Sequence, residues 1–473
     1  MSRHPDKDAS QHVELRALDA EMRNLEFGSD DAPEKYATAY DLRDMNALGL
    51  VPTFRRRFDF LAMLGFSSTV VVAWQTTLAT FSFALFNGGT GGLFWCGIII
   101  GNLIKYCIVL YYPDSVAYNS QWFPTLLAVG AVIIAALFNI FLATKFPLLE
   151  GIVLFTHLAG WAAVIVTLWV TSPRASARDV LLTSSNGGGW SSEGASALIG
   201  VLTPLAALCG YDSSVHMTEN ARDASKTVPL SLLTSFACNG ILAFTTVITM
   251  IFCLGDQEEV LSNPLQTPFL IVFNNSTKSK AGAVGLTVPI IICFISALIN
   301  EVATASRQLW SFARDGGFPF ASYLDHAADR FPVHDAEVPR RAVWTTVTMA
   351  LALCLVNFGP AIGFNAIISL TNIALLSSYL ITISCVIWRR MASKPLPRER
   401  FSLGSFGLPI NIVAWLCVAA LTVLSVFPPV INPTPAYMNW AIVIFSAIII
   451  FASGFYAVAG RKQYEPLMRK ENF

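Results

Sequence analysis

The hydrophobic residues of this 473-residue chain are gathered into long runs that short polar segments separate. Most of the runs approach or exceed the roughly 20 residues that a helix needs to cross the hydrocarbon core of a bilayer. They lack the alternating pattern of a membrane β-barrel. The pattern therefore predicts an all-α polytopic membrane protein with about 11 spans, and residues 60–459 form its membrane domain. The predicted spans are 60–85, 91–112, 123–143, 152–171, 198–217, 230–254, 282–304, 342–358, 362–388, 408–428 and 438–459.

Composition supports this class. Hydrophobic residues make up 54% of the chain and charged residues 13%, about half the charged share of a soluble domain. Basic and acidic residues balance at 31 each, which does not favour a nucleic-acid partner. The nine cysteines fall inside apolar runs and are predicted to be packing residues. We expect neither a cofactor nor a bound metal.

Hydrophilic segments occupy both ends of the chain. Residues 1–59 and 460–473 are predicted to be cytosolic tails, and residues 1–53 to be mostly flexible. The first segment has no apolar core of a signal peptide. Basic residues before the first span, between spans and in the last tail indicate that both ends are cytosolic.

An odd number of spans cannot place both ends on one side of the membrane. One more span between residues 91 and 123 would remove the conflict. We therefore predict that a transmembrane span is missing near residues 101–114. Two alternatives stay open: Arg55, Arg56 and Arg57 lie outside, or the run 91–112 enters and leaves the membrane on one side.

Two of the apolar runs carry a similar polar cluster. Each cluster has a glycine, an aromatic residue and small hydroxyl residues, early in a run and in a different half of the chain. Backbone at membrane depth can leave the helix only where protein or water satisfies its polar groups. Paired interruptions of this kind are typical of transporters built from inverted repeats. The alternative is that each cluster is a notch for close helix packing. The residues predicted to bind substrate are Gly65, Phe66, Ser67, Ser68, Cys209, Gly210, Tyr211 and Asp212.

Three blocks, at residues 60–95, 208–232 and 299–324, carry a family resemblance. They include "LGFSSTVVVAWQTTLATF", "LCGYDSSVHMTENARDASKTVPLSL" and "INEVATASRQLWSFARDGGFPF". The chain resembles the fungal amino acid/choline transporter group, which includes GABA and choline permeases, of the amino acid–polyamine–organocation superfamily. The resemblance implies a LeuT-like core of five plus five inverted repeats followed by two helices. It also implies twelve spans, and the family's third span is not found after Asn102.

Several residues have alternative roles. Asp212 could bind an ammonium group, carry a coupling proton or only cap a half-helix. Tyr211 and Phe66 are candidates for gates or cation–π surfaces around a small amine. The open ends of the two half-helices would bind a carboxylate and a cation.

Three further residues are candidates for ion coupling: His157, Asn300 and Glu301. Glu301 could relay protons, or it could pair with Arg307 and be structural. His157 titrates near physiological pH. The resemblance places it in the fifth family span, near the coupling-ion site, although it could be a packing histidine.

These observations predict a secondary active transporter. It would carry an amino acid or a related small amine such as GABA or choline by alternating access, with coupling to protons. No phosphate-binding loop or catalytic cluster occurs, so an enzyme is not expected. The alternatives are a nutrient-sensing receptor with a transporter fold and a truncated product that does not transport. The expected partners are the substrate, protons and the lipid bilayer, at the plasma membrane or the vacuolar membrane.

Overall fold

The computed structural model describes most of the membrane domain and one short piece of the N-terminal tail. The described residues are 38–47, 54–79, 93–113, 115, 120, 122–182, 186–201, 210–255, 260, 268–324, 338–358, 361–392, 400–428, 430–435 and 438–464. Within this part of the chain the regular structure is helical. The helices are α1 (Ala39–Ala47), α2 (Phe60–Val71), α3 (Ala73–Ala79), α4 (Leu93–Tyr111), α5 (Trp122–Phe141), α6 (Phe146–Thr171), α7 (Ala177–Leu182), α8 (Glu193–Gly200), α9 (Ala224–Phe252), α10 (Pro268–Thr277), α11 (Lys280–Arg314), α12 (Ala321–Leu324), α13 (Arg340–Leu355), α14 (Ala361–Met391), α15 (Gly407–Leu424), α16 (Ala441–Phe455) and α17 (Arg461–Gln463).

The prediction of an all-α polytopic membrane protein is confirmed. Among the described residues, eight helical stretches are long and apolar enough to cross a membrane. The eight stretches are Phe60–Ala79, Trp122–Phe141, Ala143–Thr171, Ala224–Phe252, Lys280–Arg314, Leu370–Met391, Gly404–Leu424 and Ala441–Gln463. Helices α4 and α13 occupy two more of the predicted runs. The run predicted at 198–217 is different, because it contains the end of α8, Gly210 and the start of a 3₁₀ helix, Tyr211–Asn220.

Burial separates the first spans from the last two. In the most apolar window of Phe60–Ala79, 83% of the residues are buried inside the protein. The same measure is only 6% for the stretches that contain α15 and α16. These two helices both pack on α14, and their exposed apolar side chains suit contact with lipid. Their peripheral position agrees with the implied core followed by two helices.

One end of the bundle, here called the inner end, brings three parts of the chain together. The backbone N–H of Phe58 donates to the carbonyl of Asn220 at 3.0 Å, and the N–H of Arg222 donates to the Phe58 carbonyl at 2.8 Å. The ring of Phe54 lies edge-on to Trp310, with 5.0 Å between centroids. The start of α2, the start of α9 and the end of α11 therefore lie side by side. By the positive-inside rule, the arginines in these segments predict that this end faces the cytosol.

Helix α6 also begins at the inner end. The ring of Phe146, its first residue, lies 6.2 Å from Phe58 and 6.4 Å from Phe66. Three described helical stretches separate Phe58 from Phe146, namely the α2–α3 pair, α4 and α5. A chain that leaves one end and returns to it must cross an even number of times. Three is an odd number, so the described helices show the same conflict that the basic residues showed in the sequence. The missing span stays a prediction.

Candidate functional site

The first span is interrupted at Val72. Helix α2 ends at Val71, and Val72 takes a left-handed conformation with φ 39° and ψ 44° before α3 begins at Ala73. A β-branched residue rarely adopts this conformation, and such strain is concentrated at functional sites. The prediction that residues 65 and 67–69 interrupt the helix is wrong in position. These residues lie within α2, before the break.

The cluster at 65–68 has a packing role instead. A Cβ atom added to Gly65 would lie 3.0 Å from both Cβ and the carbonyl oxygen of Glu150, so glycine lets α2 and α6 approach closely. Phe66 is fully buried and lies edge-on to Phe58 at 5.9 Å. The hydroxyl of Ser68 donates to Ser235 Oγ of α9 at 3.3 Å. The alternative of a packing notch therefore describes this part of α2.

The second interruption lies where the sequence predicts it. Gly210 has φ 90°, a value that suits glycine, and it precedes the 3₁₀ helix Tyr211–Asn220. Helix α8 ends at Gly200. Cys209, also predicted to bind substrate, lies outside the described residues. The backbone is thus not α-helical at Gly210 or at Tyr211.

The two interruptions lie next to each other. A Cβ atom on Gly210 would be 3.9 Å from Val70 Cγ1 of α2. Tyr211 packs against a buried cluster formed by Val71 and Ala73, on either side of the first break, together with Ala243 of α9. The structure therefore brings together the two breaks that two halves of an inverted repeat would supply.

Aromatic rings and a carboxylate surround the second break. The ring of Tyr211 lies 5.8 Å from Phe236 and 5.7 Å from Tyr379. The side chain of Asp212 is 29% exposed, and its Oδ2 lies 3.9 Å from Nε2 of His216. Asp212 is therefore accessible to a ligand. A surface of aromatic faces beside a carboxylate suits a small cation.

A buried carboxylate that the sequence analysis missed lies on the other side of α2. Glu150 is fully buried, and its Oε2 accepts a hydrogen bond from Thr69 Oγ1 at 2.8 Å. Asn300 of α11 donates to the same Thr69 oxygen at 3.0 Å. No described residue provides a partner for Oε1 of Glu150 or Oδ1 of Asn300. Helices α2, α6 and α11 thus meet around one carboxylate.

The sequence contains one pattern that could have identified Glu150 as a buried residue. The predicted spans 123–143 and 152–171 leave Glu150 in the short segment between them, which also contains Lys145. Helix α6 in fact begins at Phe146. Glu150 and His157 are seven residues apart, which is nearly two turns, so they share one face of that helix. The pattern would have indicated an inward polar face if the run had been extended by one turn.

His157 is connected to the first break through Gln75. With its amide oxygen toward the ring, Gln75 accepts hydrogen bonds from His157 Nδ1 at 3.0 Å and from Trp74 Nε1 at 3.2 Å. Its nitrogen then donates to the carbonyl of Val72 at 3.1 Å. The buried His157 has no described partner for Nε2. Sequence analysis assigned no role to Gln75, yet it holds the carbonyl at the break.

The two adjacent coupling candidates of α11 lie in different places. Asn300 is fully buried in the cluster with Thr69 and Glu150. Glu301 is half-buried and follows one position later, about 100° around the helix. Arg307, considered as its partner, donates to Asn220 Oδ1 at 3.0 Å and to the carbonyl of Ala303 at 3.3 Å.

A polytopic helical bundle with two interrupted segments in contact with each other has the architecture of secondary transporters. The chain belongs to the amino acid permease family, whose sequence model matches residues 60–448. A Macrophomina phaseolina protein, provisionally named an amino acid/polyamine transporter, is 28% identical over 347 residues, which cover 72% of this chain and 74% of that protein.

Two named relatives extend the comparison. Amino-acid permease 2 of Neurospora crassa is 23% identical over 504 residues, with 91% of this chain and 90% of the relative covered. Because 504 exceeds the 473 residues of this chain, the relative has segments with no counterpart here. The choline transporter of Saccharomyces cerevisiae is 25% identical over 328 residues, covering 69% of this chain and 57% of the transporter.

Proposed function

We propose that this chain is a proton-coupled permease for amino acids or related small amines such as GABA or choline, working by alternating access. Membership of the amino acid permease family supports transport of such compounds. The observation that carries the proposal is the meeting of the two breaks, at Val72 and Gly210, beside buried polar side chains. The plasma membrane is the proposed location, and the vacuolar membrane is the alternative.

The proposed cargo site lies between the two breaks. An amine group would face Asp212 and the aromatic rings around Tyr211, because both attract a cation. Backbone groups at residues 70–73 and at Gly210 would bind the rest of the cargo. The sequence analysis placed the substrate contacts of the first span at residues 65–68. We now propose that they lie at the break itself. Phe66 is then a gate residue, because its ring lies toward the inner end beside Phe58 and Phe146.

Glu150 is the proposed carrier of the coupling proton. A buried carboxylate inside a membrane protein is costly and marks a functional site. When it is charged, Glu150 needs the hydroxyl of Thr69, which Asn300 supports from α11. When it is protonated, that demand falls, and α2 and α11 are held less tightly to α6. Proton binding would thereby change the relative stability of the inward and outward states.

The test is uptake into proteoliposomes with an imposed pH gradient, using radiolabelled GABA and choline beside a panel of amino acids. We expect Glu150→Gln, which keeps shape but cannot ionise, to lose uptake driven by the gradient. Exchange of external label for internal unlabelled substrate should persist. His157→Gln is the comparison variant for the other buried candidate. Uptake by Glu150→Gln that still follows the pH gradient would refute the assignment of the proton site.

A product that does not transport is the second candidate. The odd number of described helical stretches between Phe58 and Phe146 favours it. The test compares uptake by this chain with uptake by a version in which a family third span is inserted after Asn102. Uptake by the extended version alone would support the second candidate. Equal uptake by both would support the permease and remove the missing span as a functional defect.

A further inference from the structure

A cavity of about 540 Å³ lies at the inner end of the bundle. One wall consists of residues from the 3₁₀ helix and the start of α9, and another comes from the last turns of α11. The remaining lining comes from Phe54 and Arg56, before α2, and from α1, the helix of the N-terminal tail, which contributes Asp41, Asp44 and Met45. The tail, predicted to be mostly flexible, therefore contains a helix that covers the inner end.

Asp41 attaches α1 to the beginning of α9. Its side chain is almost fully buried. Oδ2 accepts from the backbone N–H of Asp223 at 3.0 Å, and Oδ1 accepts from the N–H of Ala224 at 3.1 Å. A helix N-terminus has N–H groups without helical partners and a partial positive charge. Asp41 thus caps a 29-residue membrane helix from a separate segment of the chain.

Arg56 strengthens this attachment. Asp41 Oδ1 lies 3.1 Å from Arg56 Nη1, and that nitrogen also donates to the carbonyl of Ala221 at 2.7 Å. Both side chains are buried, so removal of one partner leaves a charge that is poorly compensated. Arg400 adds a third contact, because it hydrogen-bonds to Asp223 and lies 3.8 Å from the ring centre of Tyr40.

The attachment depends on a few charged contacts rather than on a long apolar interface. Helix α1 has nine residues, and a helix of this length is unstable alone in water. Its small apolar face includes Leu42 and Met45, which are both buried. Loss of the Asp41 contacts would therefore free the whole segment at once, which is the behaviour of a lid.

We propose that α1 is a lid over the inner cavity and that Asp41 is its lock. With the lock engaged, α1 separates the cavity from the cytosol. When α9 and the 3₁₀ helix move, the capping site and Arg56 separate and the lid is released. Its use during cargo release rests on the proposed function, whereas the closed lid itself does not.

Accessibility of a new thiol in the cavity tests this proposal. Ser225, in the first turn of α9, lines the cavity and is half-buried. The experiment measures how fast a charged, membrane-impermeant maleimide labels Ser225→Cys in inside-out vesicles. The parent chain without this cysteine gives the background from the native cysteines. We expect Asp41→Ala to increase the labelling rate about tenfold or more, because two charge-assisted hydrogen bonds and an ion pair are lost.

Two further variants make the result specific. Asp44→Ala is the matched control, since Asp44 lies on the same helix and lines the same cavity but contacts only the neighbouring Arg43 among the described ion pairs. We expect Ser225→Cys to be labelled at the same rate with Asp44→Ala as without it. Asp41→Asn should give an intermediate rate, because asparagine can cap a helix but cannot pair with Arg56.

An unchanged labelling rate in Asp41→Ala would overturn the proposal. An equal increase in Asp44→Ala would also overturn it, because the effect would then be general loosening. If Asp41→Ala fails to fold, the labelling rate with Asp41→Asn is the test. A rate equal to that of Ser225→Cys alone would contradict the role of Asp41 as a lock. Labelling needs no transport, so these results are independent of the uptake experiments.

Discussion

The segments 65–68 and 210–213 have similar sequences but different structures. Each contains a glycine, an aromatic residue and a hydroxyl residue. The first stays inside a regular helix, where Gly65 fits against Glu150 of α6. In the second, Gly210 has a positive φ and precedes a 3₁₀ helix, and no atom lies nearer than 3.9 Å to its Cβ position. The same small residue therefore serves close packing in one place and backbone freedom in the other.

A larger side chain at Gly65 tests the packing half of this comparison and has the largest expected effect. In Gly65→Val the new atoms would overlap Glu150, because a Cβ alone lies 3.0 Å from two of its atoms. Overpacking of this kind typically costs about 1–3 kcal/mol and occasionally more. We expect a clear fall in the midpoint of thermal unfolding in detergent. Gly151→Val is the control, since a Cβ there meets nothing within 4 Å, and an equal fall in both variants would contradict the packing role.

Loss of the Gln75 amide should have the next largest effect. Gln75→Leu keeps the approximate volume but leaves the ring nitrogen of His157 and the Val72 carbonyl with fewer partners. An unpaired buried polar group costs about 1–3 kcal/mol. We expect lower thermal stability and faster hydrogen exchange at residues 72–76. The conclusion that Gln75 supports the break would be wrong if exchange there were unchanged.

The sequence predicted the class, most of the spans and the second break. Long apolar runs identify membrane helices because the bilayer imposes their length, and glycine before a polar cluster marked Gly210. The first break escaped prediction, because Val72 has no intrinsic preference for its left-handed conformation and its carbonyl is bound by Gln75, which His157 of α6 contacts in turn. Glu150 and α1 escaped for a related reason. Their partners, Thr69, Asn300 and the start of α9, are distant in sequence and come together only in the fold.

Substitution of Gly210 tests the backbone half of the comparison. Gly210→Ala adds a side chain at φ 90° without a steric clash, because the nearest atom to the new Cβ is 3.9 Å away. The expected destabilisation is therefore conformational, about 1–2 kcal/mol, and smaller than that of Gly65→Val. Thermal unfolding measures it directly. A loss larger than that of Gly65→Val would show that the two glycines do not differ in the way the structure indicates.

The smallest and most diagnostic effect is expected at the first break itself. Val72→Gly removes a β-branched side chain from φ 39°, and this relief of strain should offset much of the transfer energy lost when the buried valine is removed. The net change in the free energy of unfolding should then lie within about 1 kcal/mol of zero. Val71→Gly is the matched comparison, because Val71 is equally buried but helical, and it should lose about 2 kcal/mol or more. Equal losses would mean that Val72 carries no strain, and the break would then have to be explained by the surrounding polar contacts alone.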